Sequence, residues 1–337
     1  MRTALLLIFF LVFFSVKAQY TPVSYLAAID EQIKKVQQHS WQYVKSISKG
    51  KVQRTEKKRQ LLLAGLGEAI SGVASIPPYK NSADLRDSAL AFLMLNQALV
   101  NEDYARIVDI APIAEHAYDA MEAYIMARQK AEARLLVAAN NLQEQYRIFA
   151  SEHNIEVAPH EGKVAANLSK AEAAYSYYNK VYQIFFENYK QESYLLEAIQ
   201  QSDISAIQQN LNALQQSSER GLNALREMDD YKKDDRLIKA CIRLLTFYKY
   251  EAEMSLAGAA NFFVDRDNMI KLQQAYQSKK DGEATTEEHK AYKAAVKNYR
   301  KELNDFERTS RWLHGRRKNM LESWNNAGSH FISRHVK

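Results

Sequence analysis

From His160 to Lys337 the chain contains no proline. Its five prolines are Pro22, Pro77, Pro78, Pro112 and Pro159, and only ten glycines accompany them. These are the residues that stop helices and close tight turns. A chain that almost lacks them, and that leans on Ala, Leu, Gln, Glu, Lys and Arg, buries its apolar residues most readily as long helices. Strictly alternating strand patterns are scarce. The expected fold class is all-α, an elongated bundle of long helices.

Punctuation divides the bundle. Helices are expected over 22–48, over 52–75 up to Pro77-Pro78, and over 83–99 with Ser82 or Asp84 as cap. A short segment follows from Glu102. Pro112 is expected in the first turn of a long helix ending near His153. The polar stretch HNIEVAPHEGK (153–163) is the best internal boundary. It separates an N-terminal half, 19–158, from a C-terminal half, 159–337, packed closely enough to form one bundle. Further helices are expected over 165–200, 204–228 and 234–261. Asp265 opens another, and a last one runs over 286–323 before an irregular apolar tail.

The halves echo one another. IPPYKNSADLRDSALAFL (76–93) and MDDYKKDDRLIKACIRLL (228–245) align at an offset of 152, which pairs Tyr79-Lys80 with Tyr231-Lys232. The same offset pairs Tyr25 with Tyr177, Leu62 with Leu214 and Leu85 with Leu237. This reads as an internal duplication. The second copy replaces Pro-Pro by Asp229-Asp230 yet keeps the tyrosine. Tyr79 and Tyr231 are therefore expected to be structural corners.

The opening MRTALLLIFFLVFFSVKAQY has Arg2 ahead of ten apolar residues, Leu5–Phe14, then Val16 and Ala18 at a small-residue cleavage site. This is the pattern of a secretory signal peptide over 1–18. The apolar run is shorter than the roughly 20 residues needed to span a bilayer. The formal charge is +6, a mild basic excess that does not by itself mark a nucleic-acid binder. Cys241, alone in an apolar run, excludes an intrachain disulfide and argues against a cysteine-based metal site.

The blocks PPYKNSADLRDSALAFL (77–93), NEDYARIVDIAPIAEHAYDAMEAY (101–124), AYSYYNKVYQIFFENYKQESYLLEAI (174–199) and SWNNAGSHFISRHV (323–336) resemble a family of uncharacterised exported surface proteins of Bacteroidetes and spirochaetes. The resemblance implies a helical surface or periplasmic protein. It implies no activity and no catalytic residue.

Motifs for chemistry are absent from the sequence. None of the eight His has Glu three residues before it, so the paired Glu-x-x-His of di-iron bundles is missing. No phosphate-cradling glycine loop and no Gly-x-Ser-x-Gly elbow occurs. Glu115, Asp119 and Glu122 share one helix face beside His116, and read as a solvated acidic face. Tyr175, Tyr178, Tyr182, Phe185, Phe186 and Tyr189 form a stripe that reads as core. Ser88 sits in a weak O-glycan acceptor pattern, Asp87-Ser88-Ala89. Two basic stretches are candidate contacts for a partner: Arg54, Lys57, Lys58 and Arg59 in the first, and Arg311, Trp312, Arg316 and Arg317 in the second.

The expectation is a non-enzymatic helical protein exported to the periplasm or surface of a Gram-negative bacterium, without cofactor or metal. Its partner is a protein or an envelope component, not nucleic acid. The alternative is a helical receptor for an apolar ligand or an anionic envelope component.

Overall fold

A computed structural model describes residues 20–49, 52–114, 118–156, 162–278 and 285–337. The expected signal segment, 1–18, lies outside them. Among the described residues, eight α-helices run in chain order: α1 Pro22–Ile47, α2 Val52–Ala74, α3 Asp84–Ala114, α4 Tyr118–Glu152, α5 Lys163–Gln201, α6 Ile204–Glu227, α7 Arg236–Gln277 and α8 Thr286–His335. Among the described residues there is no strand, only two isolated bridges.

Local chemistry sets the ends. Thr21 caps α1 by accepting from Ser24 N–H, with Pro22 in the first turn, where its missing N–H costs nothing. Ser202 ends α5 in the left-handed region at φ 57°, and Asp203 caps α6 by accepting from Ala206 N–H at 3.0 Å. Thr285 and Glu288 form a reciprocal capping box on α8.

Three expected breaks are absent. α3 continues past Leu99 to Ala114, so Pro112 lies in its last turn and not at the start of α4. Nothing between Val100 and Ala111 breaks a helix. α7 passes through Asp265, which carries only a mild helix penalty. α8 continues to His335, and the supposed irregular tail is its buried end, with Phe331 and Ile332 in the core. Gly328 there is not a breaker. A Cβ at that position would come within 3.1 Å of the Tyr178 ring, so the missing side chain lets α8 lie close against α5.

Two apolar cores result. One joins α1–α4 through Tyr25, Ile29, Leu62, Leu66, Leu93 and Phe149. The other joins α5–α8 through Phe185, Leu211, Leu244, Tyr248, Trp324 and Phe331. Trp41 and Val44 of α1 pack onto the second core and tie the two together. Fully burying one such Leu, Ile or Phe contributes about 1.5–3 kcal/mol.

The α2–α3 and α6–α7 connections share one geometry. Tyr79 and Ser82 exchange N–H···O=C bonds of 2.9 Å, and Lys80 and Asn81 between them have φ of 46° and 74°. Tyr231 and Asp234 form the matching bridge around Lys232 and Lys233, at φ 52° and 65°. Two successive left-handed residues make the tight turn that normally recruits Asn or Gly. Each tyrosine ring packs against a first helix and a last helix. Tyr79 meets Tyr25 of α1 at 5.2 Å, and Phe149 and His153 at the end of α4 at 5.3 and 5.0 Å. Tyr231 meets Tyr177 of α5 at 5.1 Å, and Phe331 and His335 of α8 at 5.3 and 4.9 Å.

Candidate functional site

The most developed site is a cleft of about 740 Å³ between α5, α7 and α8. Leu196, Ile199, Met254, Phe306 and Leu313 give it an apolar lining, and Glu251 and Arg317 stand in its wall. Met254 and Arg311 are exposed at its lip, whereas Glu251, Ala259 and Leu313 are buried. Pockets of this size, mostly apolar with a few placed polar groups, suit small ligands.

The charged wall is built by core positions. Val181, Phe185, Asn188, Glu192 and Leu195 recur at steps of four and three on α5, and all are buried. Two of them are polar. Asn188 is satisfied: its amide donates to Ile184 C=O at 2.8 Å, and its carbonyl accepts from Ser217 and Ser218 at 3.0 and 3.1 Å. Glu192 instead meets Arg317. Cys241, Leu244, Tyr248 and Glu251 repeat the pattern on α7, and Leu313, Arg317 and Trp324 on α8. The Arg317 guanidinium donates to Glu192 through Nε and to Glu251 through Nη2. Both carboxylates are 1 % exposed.

One guanidinium does not neutralise two buried carboxylates. Oε2 of Glu251 is buried and accepts no hydrogen bond. Burial, and next the charge of Glu192, push the Glu251 carboxyl up to about 8, against the opposing pull of Arg317. Glu192 is raised too, burial outweighing Arg317. At neutral pH the pair therefore retains a proton. Tyr248, buried beside Glu192, is held well above the ordinary phenol range, first by burial and then by that charge.

A second, polar cavity of about 570 Å³ lies by the α6–α7 corner and includes Asp234, Arg236 and His330. Its acid is fully engaged. Asp234 accepts from Arg236 at 2.6 and 2.8 Å and lies 3.0 Å from Nε2 of His335. Those partners, Arg236 first, hold its carboxyl far below the usual carboxylate range despite its burial. Asp234 thus fastens the end of α8 to the corner.

The basic stretches are only partly at the surface. Arg54 and Lys57 are exposed, and Lys58 donates to Gln42 Oε1 at 2.7 Å. Arg59 is not a surface cation: it is 7 % exposed and forked onto Glu56 at 2.9 and 3.0 Å. Arg311 and Arg316 are exposed, and Trp312 is 52 % exposed, edge-on to Tyr250 at 5.8 Å. Arg317 is not a surface cation either, because core register turns it into the triad. Helix register sends neighbours in a charge run to different faces. Sequence reasoning passed over Glu192 and Glu251; their signal was a carboxylate at an apolar register position.

The 175–189 stripe packs into the core and not into the cleft, Tyr178 stacking on Trp324 at 6.3 Å and Phe185 meeting it at a tilt at 4.7 Å. Ser88 is half-buried within α3. Cys241 is buried, and burial raises its thiol well above the ordinary range, which makes it inert. The side chains of Glu115, His116, Asp119 and Glu122 lie outside the described residues. Among the described residues, no helix is long and apolar enough to cross a membrane. No family model matches the chain, and no curated protein or solved structure matches it either.

Proposed function

We propose that the protein is an exported, non-enzymatic helical binding protein that takes a small amphiphile into the α5–α7–α8 cleft. The observation that carries this is an apolar cleft with a buried carboxyl in its wall that Arg317 alone does not neutralise and that has one oxygen without a hydrogen bond. A purely structural bundle gains nothing from such a group, since replacing a buried ion cluster with apolar residues is often neutral or stabilising. Export, and membership of a surface family of Bacteroidetes and spirochaetes, rest on the opening segment and the four sequence blocks alone.

A second reading has its own observation. The exposed pair Tyr250 and Trp312, flanked by Arg311 and Arg316, suits an anionic envelope surface or a partner protein. One experiment separates the two. Gly258 lines the cleft, and a Cβ there meets nothing within 4 Å, so Gly258→Phe is the substitution chosen to add bulk in the cleft. With decanol as probe, the parent gains thermal stability; at one hundred times Kd the gain is about 2.7 kcal/mol. Gly258→Phe removes that gain and leaves the free protein as stable as the parent. Trp312→Ala keeps it but loses sedimentation with anionic phospholipid vesicles. A parent indifferent to decanol, with vesicle binding sensitive to Trp312, selects the second reading.

We also propose that the halves arose by duplication. The support is the repeated corner, with its paired left-handed residues and the same aromatic partners from a first and a last helix. Duplication requires α1–α3 to overlay α5–α7 in chain order over 22–100 and 174–252; an overlay that needs another order removes it.

A further inference from the structure

We infer that the ligand of the cleft carries a protonated amine at the end of its apolar body, with the ammonium drawn to the carboxyl of Glu251 in the cleft wall. The inference rests on the cleft reading above and adds the chemistry of the head group.

The argument is one of charge and geometry. Glu251 is 1 % exposed, lines the cleft, and commits one oxygen to Arg317. Its other oxygen accepts nothing. Every element packed round it adds to the same balance. α5 contributes Glu192, already on Arg317. α7 contributes Tyr248, whose ionisation is suppressed by burial. α6 turns its Glu219 outward to Lys249 at 3.0 Å. α8 contributes Arg317 and, around the cleft, Arg311 and His314 beside Glu302 and Asp305, which Lys301 and Arg308 already pair at 3.9 and 2.8 Å. Within the triad itself, two carboxylates share one guanidinium. A carboxylate or phosphate head would sit against Glu251 and find Arg317 already occupied by both carboxylates. A neutral head meets no opposite charge. An ammonium supplies the missing positive charge and up to three donors.

Seating it displaces a proton. Below the range in which Glu251 titrates, the carboxyl is protonated, and an arriving ammonium releases that proton to solvent. Affinity for an amine therefore rises as pH rises, by up to about tenfold per pH unit, and levels off near pH 8. An alcohol or a carboxylate of the same length shows no such rise.

The test is calorimetric titration of the purified protein with decylammonium, decanol and decanoate below their micellar concentrations, at pH 6, 7 and 8, in buffers of different ionisation enthalpy. The expected result is decylammonium tightest at pH 8, with close to one proton released on binding at pH 6. Decanol binds more weakly and releases none; decanoate is weakest. Glu251→Gln, nearly the same in shape, loses the proton release and the amine preference but still binds decanol. Decanoate binding tightest, or amine binding without proton release, overturns the inference and leaves the cleft reading standing. Failure of all three probes overturns both. Because the proton count is read on the parent, the inference stays testable if Glu251→Gln fails to fold.

Discussion

Replacing Arg317 with Met should lower the unfolding free energy by about 3–5 kcal/mol, the usual cost of breaking a buried ion cluster by removing one partner. The loss should be larger at pH 8 than at pH 5. Without the guanidinium, Glu192 and Glu251 face each other inside the second core with no positive charge between them. At pH 5 both can take protons and the penalty shrinks; at pH 8 one must ionise or the helices must part. The parent already leans the same way. The folded carboxyl of Glu251 titrates near 8, well above an unfolded glutamate, so the native state holds a proton that the unfolded state has released. Its contribution to stability is complete below the unfolded value and is lost as pH climbs towards 8, by at most about 1.4 kcal/mol per pH unit. Asp234 has the opposite sign: depressed in the fold, it stabilises above the ordinary carboxylate range and fails in acid. Urea unfolding of parent and variant at both pH values checks this. A loss below about 1 kcal/mol, or one equal at the two pH values, would mean that the triad is not the buried charge cluster described. Replacing all three residues with Leu, Met and Leu should cost little and abolish amine binding, separating what the triad does for stability from what it does for a ligand.

How much of this could be seen in the sequence depended on which physical effect decides each feature. The scarcity of Gly and Pro was enough for an all-α bundle, because nothing in the chain competes with helix over long stretches. The joins at 48–51 and 202–203 were legible because caps and turns are local. The false breaks at Leu99, Asp265 and Ser323 came from polar residues in otherwise helical runs. Such residues lower helix propensity by only a few tenths of a kcal/mol, and tertiary burial of Phe262, Trp324 and Phe331 outweighs that. The site was half legible. Glu192, Glu251 and Arg317 each fall on the apolar register of their helix, and that register is a sequence property. That the three registers meet at one point, and that α5, α7 and α8 stand far enough apart there to leave a cleft, depends on packing between helices distant in sequence.

Tyr79→Ala and Tyr231→Ala should each lower stability by about 2–3 kcal/mol, somewhat less than the 3–5 kcal/mol of a fully buried aromatic, because both rings are half-buried. Each ring joins three parts of its half: a first helix, the tight turn itself, and the end of a last helix. Each turn also holds successive residues at positive φ, and a left-handed lysine costs roughly 1–2 kcal/mol. That strain persists because the ring and the bridge fix the turn, and because Lys80 and Lys232 place their ammonium groups 5.6 and 5.1 Å from the ring centres. Removing the ring removes the packing and the cation–π contact together, so the strained turn loses its reason to stay closed. The hydroxyl is another matter. Oη of Tyr231 is buried with no hydrogen-bond partner, so Tyr231→Phe removes an unsatisfied group and should leave stability equal or slightly higher. Tyr79→Phe should be silent. A tyrosine that served a ligand or a chemical step would reverse the pattern, with Phe as damaging to function as Ala and thermal stability intact in both. Thermal unfolding of the four single variants, with decanol binding measured beside it, decides the matter. Alanine variants that melt with the parent would remove the packing account, and would make the repeated Tyr-Lys turn, with its strained backbone unexplained, the next place to look for a ligand.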